Sequence, residues 1–377
     1  MKILAKHTFL KKIHQILPDD IRNLSIIFKM NNFDMFLVGG CVRDTFLNKE
    51  SKDFDVCTNA TPTQIKSILT FNNIPFNEQG VHFGIIVAKL SQDVEIATFR
   101  ADFSSDTGNN KDTEVKFGVT LLEDLERRDL TINAIALNLS NNEIIDPFNG
   151  IEDLKNGIIR TVGKAHDRFL EDNLRKLRAV KFCTRFGFTL HQDIIDNITT
   201  NPALNISKER VVIELQNAFD KCKDVNLLIN LLNTLNLTNV IFDNLITTNN
   251  NISITSFNSF LLSFIDNKNT NIKEKLLGLK FSSKTAHTID TIIKLKNHFK
   301  TLDCFDVVKV NKALKKCDIS LNDVLSFIDV EFVEQVKFLW NFEIDKNIVQ
   351  QFIDSGIQGK DLGDAISQWA NHQFRMI

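Results

Sequence analysis

The hydrophobic periodicity of this 377-residue chain changes near Asn156, and no other feature constrains the fold as strongly. Before this point, short apolar runs alternate with turns that contain glycine or asparagine, a pattern typical of strands with a few helices. After it, glycines become rare and apolar residues recur every three or four positions, as in amphipathic helices. The sequence therefore predicts an α+β fold, with an α/β head followed by an all-helical remainder.

Two pairs of apolar runs within the head predict hairpins. The first pair is separated by Ser91 and Gln92, and the second by Asn141 and Asn142. Short polar breaks between β-rich runs are typical of tight connections between antiparallel strands. We therefore expect at least part of the head sheet to be antiparallel.

Composition and length narrow the class of protein. At this length we expect more than one domain. No apolar run is long enough to span a bilayer, and the N-terminal stretch mixes Lys and His with apolar residues, as an amphipathic helix does. The expected location is cytoplasmic. The six cysteines show no C-x-x-C spacing, which argues against a zinc site and a disulfide framework.

Charge is distributed unevenly along the chain, whose formal net charge is -2. Residues 151–190 carry nine Lys or Arg against five acidic residues, and residues 271–300 carry seven Lys against two. Such segments are commonly solvated helix faces, but in an otherwise acidic chain they also favour a phosphate-bearing partner. Because the chain has no Tyr, stacking on a nucleobase would have to use Phe, Trp, His or Arg.

The segment from Leu37 to Asp55 combines L-V-G-G-C-V-R-D with D-F-D. It predicts a strand that ends in a Gly-Gly turn, followed by a helix with Arg43 on its first turn. Glycine at position 40 lets the backbone approach a phosphate, and the free N–H groups of a helix start attract anions. Arg43 can add charged hydrogen bonds to a triphosphate.

Asp53 and Asp55 alternate around Phe54, so both carboxylates project from one face of an extended strand. Paired carboxylates can hold Mg²⁺ while phosphate oxygens and water fill the remaining positions. A lone D-x-D is usually a surface strand or turn, but its position thirteen residues after Gly40 favours the metal site. Glu95 is the candidate third carboxylate, although a glutamate on a strand is commonly only solvated.

A second block, E-D-L-E-R-R-D-L-T-I-N-A, begins at Glu123 and ends at Ala134. In it, Arg128 is suited to a phosphate, and Asp129 can accept a hydrogen bond from a ribose hydroxyl. The alternative interpretation is a charged helix cap.

A third block, E-D-N-L-R-K-L-R-A-V-K-F, places Asp172, Arg175 and Arg178 three residues apart, which predicts one face of a single helix. A carboxylate acceptor and a guanidinium donor together match the Watson–Crick edge of cytosine or adenine. The alternative is an i,i+3 salt bridge on a solvated helix.

Five blocks in this order resemble the class II tRNA nucleotidyltransferases, a family that also contains the bacterial poly(A) polymerases. The blocks are LVGGCVRDTFLNKESKDFDVCT, EDLERRDLTINAIA, IIDPFNGIEDLKNGIIRTVG, EDNLRKLRAVKF and ISKERVVIEL. The resemblance covers roughly residues 30–215. The remaining helical part is compatible with the family but carries no identifiable motif.

The resemblance implies a four-part architecture and an activity. A nucleotidyltransferase head of the DNA polymerase β type is expected over residues 1–150, a helical neck over 151–225, a helical body over 226–300, and a helical tail that binds tRNA over 301–377. The implied substrates are CTP, ATP and the 3′ end of tRNA, with Mg²⁺ as the cofactor.

The resemblance also assigns roles by position to residues in the blocks. The assignments are Asp53 and Asp55 for the catalytic metals, Gly40 and Arg43 for the triphosphate, Arg128 and Asp129 for the ribose, Asp172 and Arg175 for the base, and Arg178 and Lys181 beside them. The family often has Arg where this chain has Lys181.

The segment Phe103–Lys116 corresponds to a loop linked in the family to addition of the terminal A, and its length favours a full CCA-adding enzyme. Two alternatives stay open: a poly(A) polymerase that uses ATP alone, and a catalytically silent RNA-binding protein. The intact D-x-D argues against the second, and R-R-D-L-T-I-N-A-I-A is more similar to the tRNA branch than to the first.

Overall fold

The computed structural model describes residues 3–51, 53–103, 114–243, 245, 253–265, 271–301 and 306–377. The chain forms two compact units. One unit comprises Met1–Ile206 and Lys221–Leu235, and the other comprises Ser207–Asp220 and Asn236–Ile377. Most of the segment 103–116, including residues 104–113, lies outside the described residues. The four-part division into head, neck, body and tail stays a prediction.

All described strands belong to the first unit. They are β1 (Met35–Val38), β2 (Val56–Thr58), β3 (Phe76–Asn77), β4 (Ile85–Lys89), β5 (Asp93–Thr98), β6 (Arg100–Phe103), β7 (Glu114–Phe117), β8 (Ala136–Asn138), β9 (Ile144–Ile145), β10 (Ile158–Ile159) and β11 (Thr189–Leu190).

Seven of these strands form a mixed sheet in the order β3-β4-β5-β2-β1-β8-β9. Strand β1 pairs antiparallel with β2 and β8, whereas β2 pairs parallel with β5. The hairpins β4–β5 and β8–β9 are antiparallel, as the polar breaks in the sequence predict. Two further pairs, β6–β7 and β10–β11, form separate two-stranded sheets.

The helices alternate with strands in the first part of the chain and follow one another in the rest. They are α1 (Lys6–Ile16), α2 (Asp19–Met30), α3 (Gly40–Phe46), α4 (Pro62–Phe71), α5 (Leu121–Glu126), α6 (Gly150–Asn156), α7 (Ala165–Glu171), α8 (Leu174–Phe186), α9 (Gln192–Thr200), α10 (Lys208–Lys221), α11 (Val225–Thr234), α12 (Leu237–Phe242), α13 (Phe257–Leu262), α14 (Ile272–Gly278), α15 (Ser283–Thr301), α16 (Val307–Leu314), α17 (Leu321–Phe327), α18 (Val333–Asn341), α19 (Lys346–Asp354) and α20 (Gly359–Arg375).

The predicted α+β fold is confirmed. The change near Asn156 separates the mixed sheet from a region in which only the short β10–β11 pair interrupts the described helices. None of the described helices is both long and apolar enough to cross a membrane.

The core under the head sheet explains why these runs form strands. Strand β1 is buried along its whole length, and its Phe36 and Val38 pack in one apolar cluster with Cys57 and Ala136 from the neighbouring strands. Leu125 of α5 belongs to the same cluster. Burial of apolar side chains contributes about 25 cal/mol per Å² and fixes the register of β1 at the centre of the sheet.

The second unit uses phenylalanine as its main packing element. Phe242 stacks near Phe264 and Phe281, with ring centroids 5.1 and 6.2 Å apart. Phe260 contacts Phe264 edge to face at 5.0 Å and lies 5.9 Å from Phe257. Such pairs add to the area buried by each ring, so part of the high Phe content supports this core.

Candidate active site

The Gly-Gly turn between β1 and α3 is present as predicted. Strand β1 ends at Val38, and Gly39 follows with φ 68° and ψ −126°, a conformation that side-chain-bearing residues rarely adopt. Gly40 then begins α3. The backbone N–H of Val38 donates to the carbonyl oxygen of Asp55 at 3.1 Å. The turn therefore lies directly beside the D-x-D segment.

Asp53 and Asp55 occupy the predicted arrangement. Phe54 between them is buried, whereas both aspartates are exposed. Because consecutive side chains of an extended segment point in opposite directions, the two carboxylates share the side away from the core. All their donor atoms are carboxylate oxygens, the ligands that hard divalent cations prefer.

Glu95 lies next to this pair. The parallel register pairs Val56 with Ile96, so the residues immediately before them, Asp55 and Glu95, are neighbours across β2 and β5. Glu95 is exposed between two buried residues of β5 and therefore lies on the outward side of that strand. Among the described residues, no three His, Cys, Asp or Glu side chains come close enough to hold one metal ion together. The role of Glu95 stays a prediction.

The electrostatics of the pair favour a bound cation. Crowding by protein atoms raises the pKa of Asp55 above its ordinary value, and the negative charges of Glu95 and Asp53 raise it further, while Arg128 lowers it. A carboxylate that is costly to ionise beside two others gains from a nearby cation. The site therefore fits a divalent metal held by Asp53 and Asp55. Because the protein supplies only these two carboxylates, most ligand positions of the metal are left to other groups.

This pKa shift predicts a stability effect in the metal-free protein. A raised folded-state pKa means that ionised Asp55 opposes folding, a penalty that grows as pH rises above the ordinary value of 3.8 and is fully present above the folded pKa. In EDTA at pH 7, the variant Asp55→Asn should melt at a higher temperature than the unsubstituted protein. Asp93→Asn, which removes a carboxylate paired with Lys89, is the control and should not. A lower melting temperature for Asp55→Asn would contradict the assigned electrostatics.

The R-R-D block lies in the turn after α5. Thr120 caps this helix by accepting a hydrogen bond from the N–H of Glu123, whose side chain bonds back in a capping box. The fully buried Asp124 then accepts hydrogen bonds from Arg127 at 2.8 Å and Arg128 at 3.3 Å. A buried carboxylate between two guanidinium groups fixes both side chains.

Arg128 reaches from this turn to the carboxylate pair. Its Nη1 donates to the carbonyl oxygen of Asn133 at 3.2 Å and would lie 3.5 Å from a Cβ added at Gly39. The guanidinium also lowers the pKa of Asp55, which requires it to be near that carboxylate. Its buried Nε has no hydrogen-bond partner among the described residues. Arg128 is thus the cation of this block that faces the predicted metal site.

Asp129 is buried and fully engaged, with 8% of its surface exposed. Its Oδ1 accepts hydrogen bonds from the N–H of Leu130 and from Nδ2 of Asn133, at 2.8 and 3.0 Å. Its Oδ2 accepts from Nε of Arg178 at 2.7 Å. Burial opposes ionisation, but the charge of Arg178 and these hydrogen bonds outweigh it and lower the pKa of Asp129. A ribose contact by Asp129 stays a prediction.

Arg43 lies deeper than the sequence suggests, with only 4% of its surface exposed. Its Nε donates to Asp44 at 2.8 Å, and its Nη1 donates to Oδ1 of Asn133. Its guanidinium lies over Phe182 and Phe186 of α8, 4.9 and 5.1 Å from the ring centroids. The third guanidinium nitrogen, Nη2, lies 3.7 Å from the position of a Cβ added at Gly40 and is the atom of Arg43 placed to contact a triphosphate at the turn.

The prediction that Asp172 shares a helix with Arg175 and Arg178 is wrong. Asp172 follows the end of α7 in an extended conformation, with φ −152°, and α8 begins only at Leu174. The side chain of Asp172 accepts a hydrogen bond from the N–H of Leu174 at 3.0 Å. Short acidic side chains favour such local bonds over continuation of a helix, and this bond breaks the run.

The basic residues of α8 have defined partners. Arg175 donates to the carboxylate of Glu171 at 2.6 Å and to the carbonyl oxygen of Arg127 at 2.8 Å. Arg175 and Glu171 thus form an i,i+4 ion pair. Lys181 is buried, and its Nζ lies 5.1 Å from the ring centroid of Phe182.

Two residues that the sequence interpretation missed, Asn133 and Asp44, connect these elements. Asn133 bonds both Arg43 and Asp129, and Asp44 bonds both Arg43 and Arg185, the latter at 2.9 Å. Because Asp129 also holds Arg178, the side chains form an unbroken series of hydrogen bonds that we call the Asn133 network. Its members are Arg43, Asp44, Asp129, Asn133, Arg178 and Arg185. The only sequence signal for Asn133 was its place inside the T-I-N-A motif.

The segment I-I-D-P-F-N-G and helix α6 support this network by holding the turn that carries Asn133. Asp153 of α6 accepts a hydrogen bond from the hydroxyl of Thr131 at 2.7 Å and pairs with Arg160 at 3.1 Å. Gly150 allows this contact, because a Cβ there would lie 2.2 Å from the carbonyl oxygen of Thr131. The carboxylate of Asp146 caps α6 by accepting from two backbone N–H groups. The block I-I-D-P-F-N-G thus positions the turn that carries Asn133.

Comparison with known proteins identifies the class of domain that holds this site. Residues 35–160 match the family model described as the Poly A polymerase head domain. This range contains the Gly-Gly turn, the carboxylate pair and the R-R-D block, and the match confirms the resemblance inferred from the motifs.

Relatives of more specific function are similar over about half of the chain. The chain is 39% identical over 191 residues to a CCA-adding enzyme of Oceanobacillus iheyensis, covering 50% of this chain and 46% of that protein. It is 39% identical over 204 residues to a CCA-adding enzyme of Enterococcus faecalis, covering 52% and 49%. The matched region thus spans about half the length of each relative.

Solved structures extend the likeness to nearly the whole chain. The Bacillus stearothermophilus CCA-adding enzyme in complex with CTP gives a TM-score of 0.61 at 23% identity, covering 95% of this chain and 91% of that one. The Thermotoga maritima CCA-adding enzyme complexed with tRNA gives 0.69 at 18% identity, covering 99% and 95%. At these identities the likeness establishes the fold, a nucleotidyltransferase head followed by helices.

Proposed function

We propose that this protein is a template-independent nucleotidyltransferase that adds CCA to the 3′ end of tRNA, using CTP and ATP and releasing pyrophosphate. The observation that carries the proposal is the exposed pair Asp53 and Asp55 beside the Gly39–Gly40 turn, with Arg128 on the same side. The similarity to CCA-adding enzymes over about half of the chain supports tRNA as the acceptor.

The residues fit a divalent metal, and we propose Mg²⁺ held by Asp53 and Asp55. Asp53 and Asp55 would hold this cation, which would supply positive charge for attack of the primer 3′ hydroxyl on the α-phosphate and for the departing pyrophosphate. In the balanced reaction, the new 3′-oxygen–phosphorus bond forms as the bond between the α-phosphate and pyrophosphate breaks. The primer hydroxyl gives its proton to a water molecule in the same exchange, and the electrons of the broken bond leave with pyrophosphate.

The chain supplies positive charge and orientation around these carboxylates. Arg128 is held by Asp124 close enough to Asp55 to lower the pKa of that carboxylate, so it is placed to meet a phosphate oxygen there. Arg178, fixed by Asp129, holds the start of α8 against this part of the head, where Arg175 and Asp172 are proposed to contact the base. Gly40, Arg43 and Lys181 complete the proposed nucleotide-binding set.

The proposed base contacts predict a change in nucleotide discrimination. An acceptor at Asp172 and a donor at Arg175 suit cytosine and adenine, whereas uracil and guanine present a carbonyl in place of the amine. This mismatch leaves a polar group unpaired, at a cost of about 1–3 kcal/mol. The variant Asp172→Ala should therefore raise the kcat/KM for UTP and GTP relative to CTP by about tenfold or more, with a smaller loss of kcat for CTP.

Steady-state assays with all four nucleotides check this prediction. Asp167→Ala removes an exposed carboxylate one turn earlier, on α7, and serves as the matched control. If both variants discriminate among nucleotides as the unsubstituted protein does, Asp172 does not contact the base. Its role is then limited to accepting the hydrogen bond from the N–H of Leu174 at the start of α8.

A poly(A) polymerase is the second candidate, because the matched head-domain model bears that description. The two activities differ in nucleotide use. The proposed enzyme should extend tRNA lacking CCA with CTP alone and should use ATP alone only on tRNA that already ends in CC. A poly(A) polymerase would extend either RNA with ATP alone, and a silent RNA-binding protein would extend neither.

A further inference from the structure

Four cationic side chains surround Phe186, the last residue of α8. The guanidinium carbons of Arg43 and Arg185 both lie 5.1 Å from the ring centroid, and Nζ of Lys49 lies 4.5 Å from it. Nζ of Lys223 donates a hydrogen bond to the backbone carbonyl oxygen of Phe186 at 2.9 Å. We call these four side chains, Arg43, Lys49, Arg185 and Lys223, the Phe186 cluster.

The charge of this cluster is poorly compensated within the protein. Asp44 pairs with Arg43 and Arg185 and is the carboxylate with the largest effect on Lys49. Among the described residues, neither Lys49 nor Lys223 forms an ion pair with a carboxylate. Four positive charges against one negative charge repel one another unless an anion is bound.

The repulsion is visible at Lys49. Partial burial lowers the pKa of its ammonium group, and the positive charges of Lys223, Arg185 and Arg43 lower it further against the opposing effect of Asp44. Burial likewise lowers the pKa of Arg185, and Arg43 adds to this effect. A bound anion would relieve both effects, because it favours the charged form of each group.

The cluster lies apart from the proposed reaction centre. Arg185 follows Arg178 by seven residues on α8, which is about 10 Å along the helix axis. Lys49 lies beyond the C-terminal end of α3, whose other end begins at Gly40 beside the carboxylate pair. Two residues of the Phe186 cluster, Lys49 and Lys223, do not belong to the Asn133 network and have no part in the proposed nucleotide contacts.

We propose that the Phe186 cluster is a second phosphate-binding site, which takes a backbone phosphodiester of the RNA acceptor strand upstream of its reacting 3′ end. Lysine and arginine donors grouped around one residue match the several acceptor oxygens of a phosphate. Phosphodiesters upstream of a 3′ end lie at a distance from the reacting atoms, as the cluster does. The proposal rests on the proposed function, since it takes RNA as the partner.

The alternative is that the lysines only stabilise helix C-termini, where backbone carbonyls attract cations. The bond from Lys223 to Phe186 is of this kind. It accounts for Lys223 but not for Lys49, whose ammonium group lies over a ring and has no carbonyl or carboxylate partner among the described residues.

The test compares RNA binding by the double variant Lys49→Gln/Lys223→Gln and by the unsubstituted protein. The probe is fluorescently labelled tRNA that lacks its CCA end, titrated between 50 and 200 mM KCl in the absence of nucleotide. We expect about a tenfold loss of RNA affinity at the lower salt concentration. The slope of log affinity against log salt concentration should decrease by the contribution of about one phosphate contact. The KM for CTP in the transfer assay should change much less than the affinity for RNA.

Two further variants separate charge from structure. Lys49→Arg/Lys223→Arg keeps both charges and should retain the RNA affinity. Lys66→Gln/Lys155→Gln removes two other lysines of the same unit, which pair with Glu78 and Glu152, and should leave the affinity unchanged. Thermal melting of each variant verifies that it is folded.

An unchanged RNA affinity and salt dependence in the folded Gln double variant would overturn the proposal and leave the helix C-terminal interpretation. A rise in KM confined to CTP would also overturn it, because the cluster would then serve the nucleotide. Transfer by the unsubstituted protein tests the proposed function separately, since the binding titration requires no catalysis.

Discussion

Substitution of Asp53 or Asp55 by alanine should reduce nucleotide transfer at least about a thousandfold, the equivalent of roughly 4 kcal/mol of lost transition-state stabilisation. The two carboxylates are the exposed oxygen donors beside the Gly39–Gly40 turn. Glu95 lies on a different segment, strand β5, and does not occupy the position of either aspartate. Losing one of them leaves a divalent cation with too few protein ligands. Single-turnover incorporation of CTP onto tRNA in Mg²⁺ measures the effect.

The same variants should remain folded and bind tRNA with nearly unchanged affinity. Both side chains are exposed, so truncation leaves the buried Phe54 and the sheet intact. Asp93→Ala, which removes an exposed carboxylate elsewhere on β5, is the matched control and should retain transfer. Near-normal turnover by either active-site variant would show that the catalytic centre lies elsewhere.

The second large effect is expected at Asn133, the residue that joins Arg43 to Asp129. Asn133→Asp keeps the size of the side chain and its acceptor for Arg43 but cannot donate to Asp129. It also places two carboxylates side by side in a buried position. Unsatisfied buried groups and like charges of this kind destabilise a protein by about 2–3 kcal/mol. We expect this loss in the free energy of unfolding, measured in urea.

Transfer should fall further than stability explains, because Asp129 and Arg178 link the head to α8. With the protein well below its melting temperature, the KM for CTP and ATP should rise about tenfold or more, since the base-reading helix is no longer held in register. Asn138→Asp is the control, because Asn138 is equally buried but bonds only the turn after β8. If Asn133→Asp and Asn138→Asp reduce stability and activity by the same amounts, the Asn133 network has no positioning role.

Much of the head could be predicted because its signals are local. The alternation of Asp53, Phe54 and Asp55 already defines which side chains face the core, and the structure buries only the middle residue. The Gly-Gly turn and both hairpins depend on residues that are adjacent in the sequence. Short-range sterics and period-two hydrophobicity decide such features, so a single sequence contains them.

The parts that escaped prediction depend on distant partners. Arg43 was expected to bind a triphosphate, and its burial was not foreseen because its partners Asn133 and Phe186 lie 90 or more positions away. The neighbourhood of Glu95 and Asp55 follows from the parallel pairing of β2 with β5, a crossover that no local pattern encodes. Tertiary packing, not propensity, determines both.

Asp172 shows a different reason for failure. Helical spacing of charged residues continues across positions 171–182, so periodicity alone predicts one helix. The structure ends one helix and starts another there, because the Asp172 carboxylate bonds the N–H of Leu174. A local side-chain bond of this kind competes with the helix and leaves no trace in the hydrophobic pattern.

The central claim is that one protein adds C, C and A in this order to tRNA without a template. Sequencing of RNA 3′ ends tests it most directly, after tRNA that lacks its CCA end is incubated with the purified protein, CTP, ATP and Mg²⁺. The account predicts that products stop after C-C-A. Unextended ends, or ends that carry a run of A without preceding C residues, would contradict it.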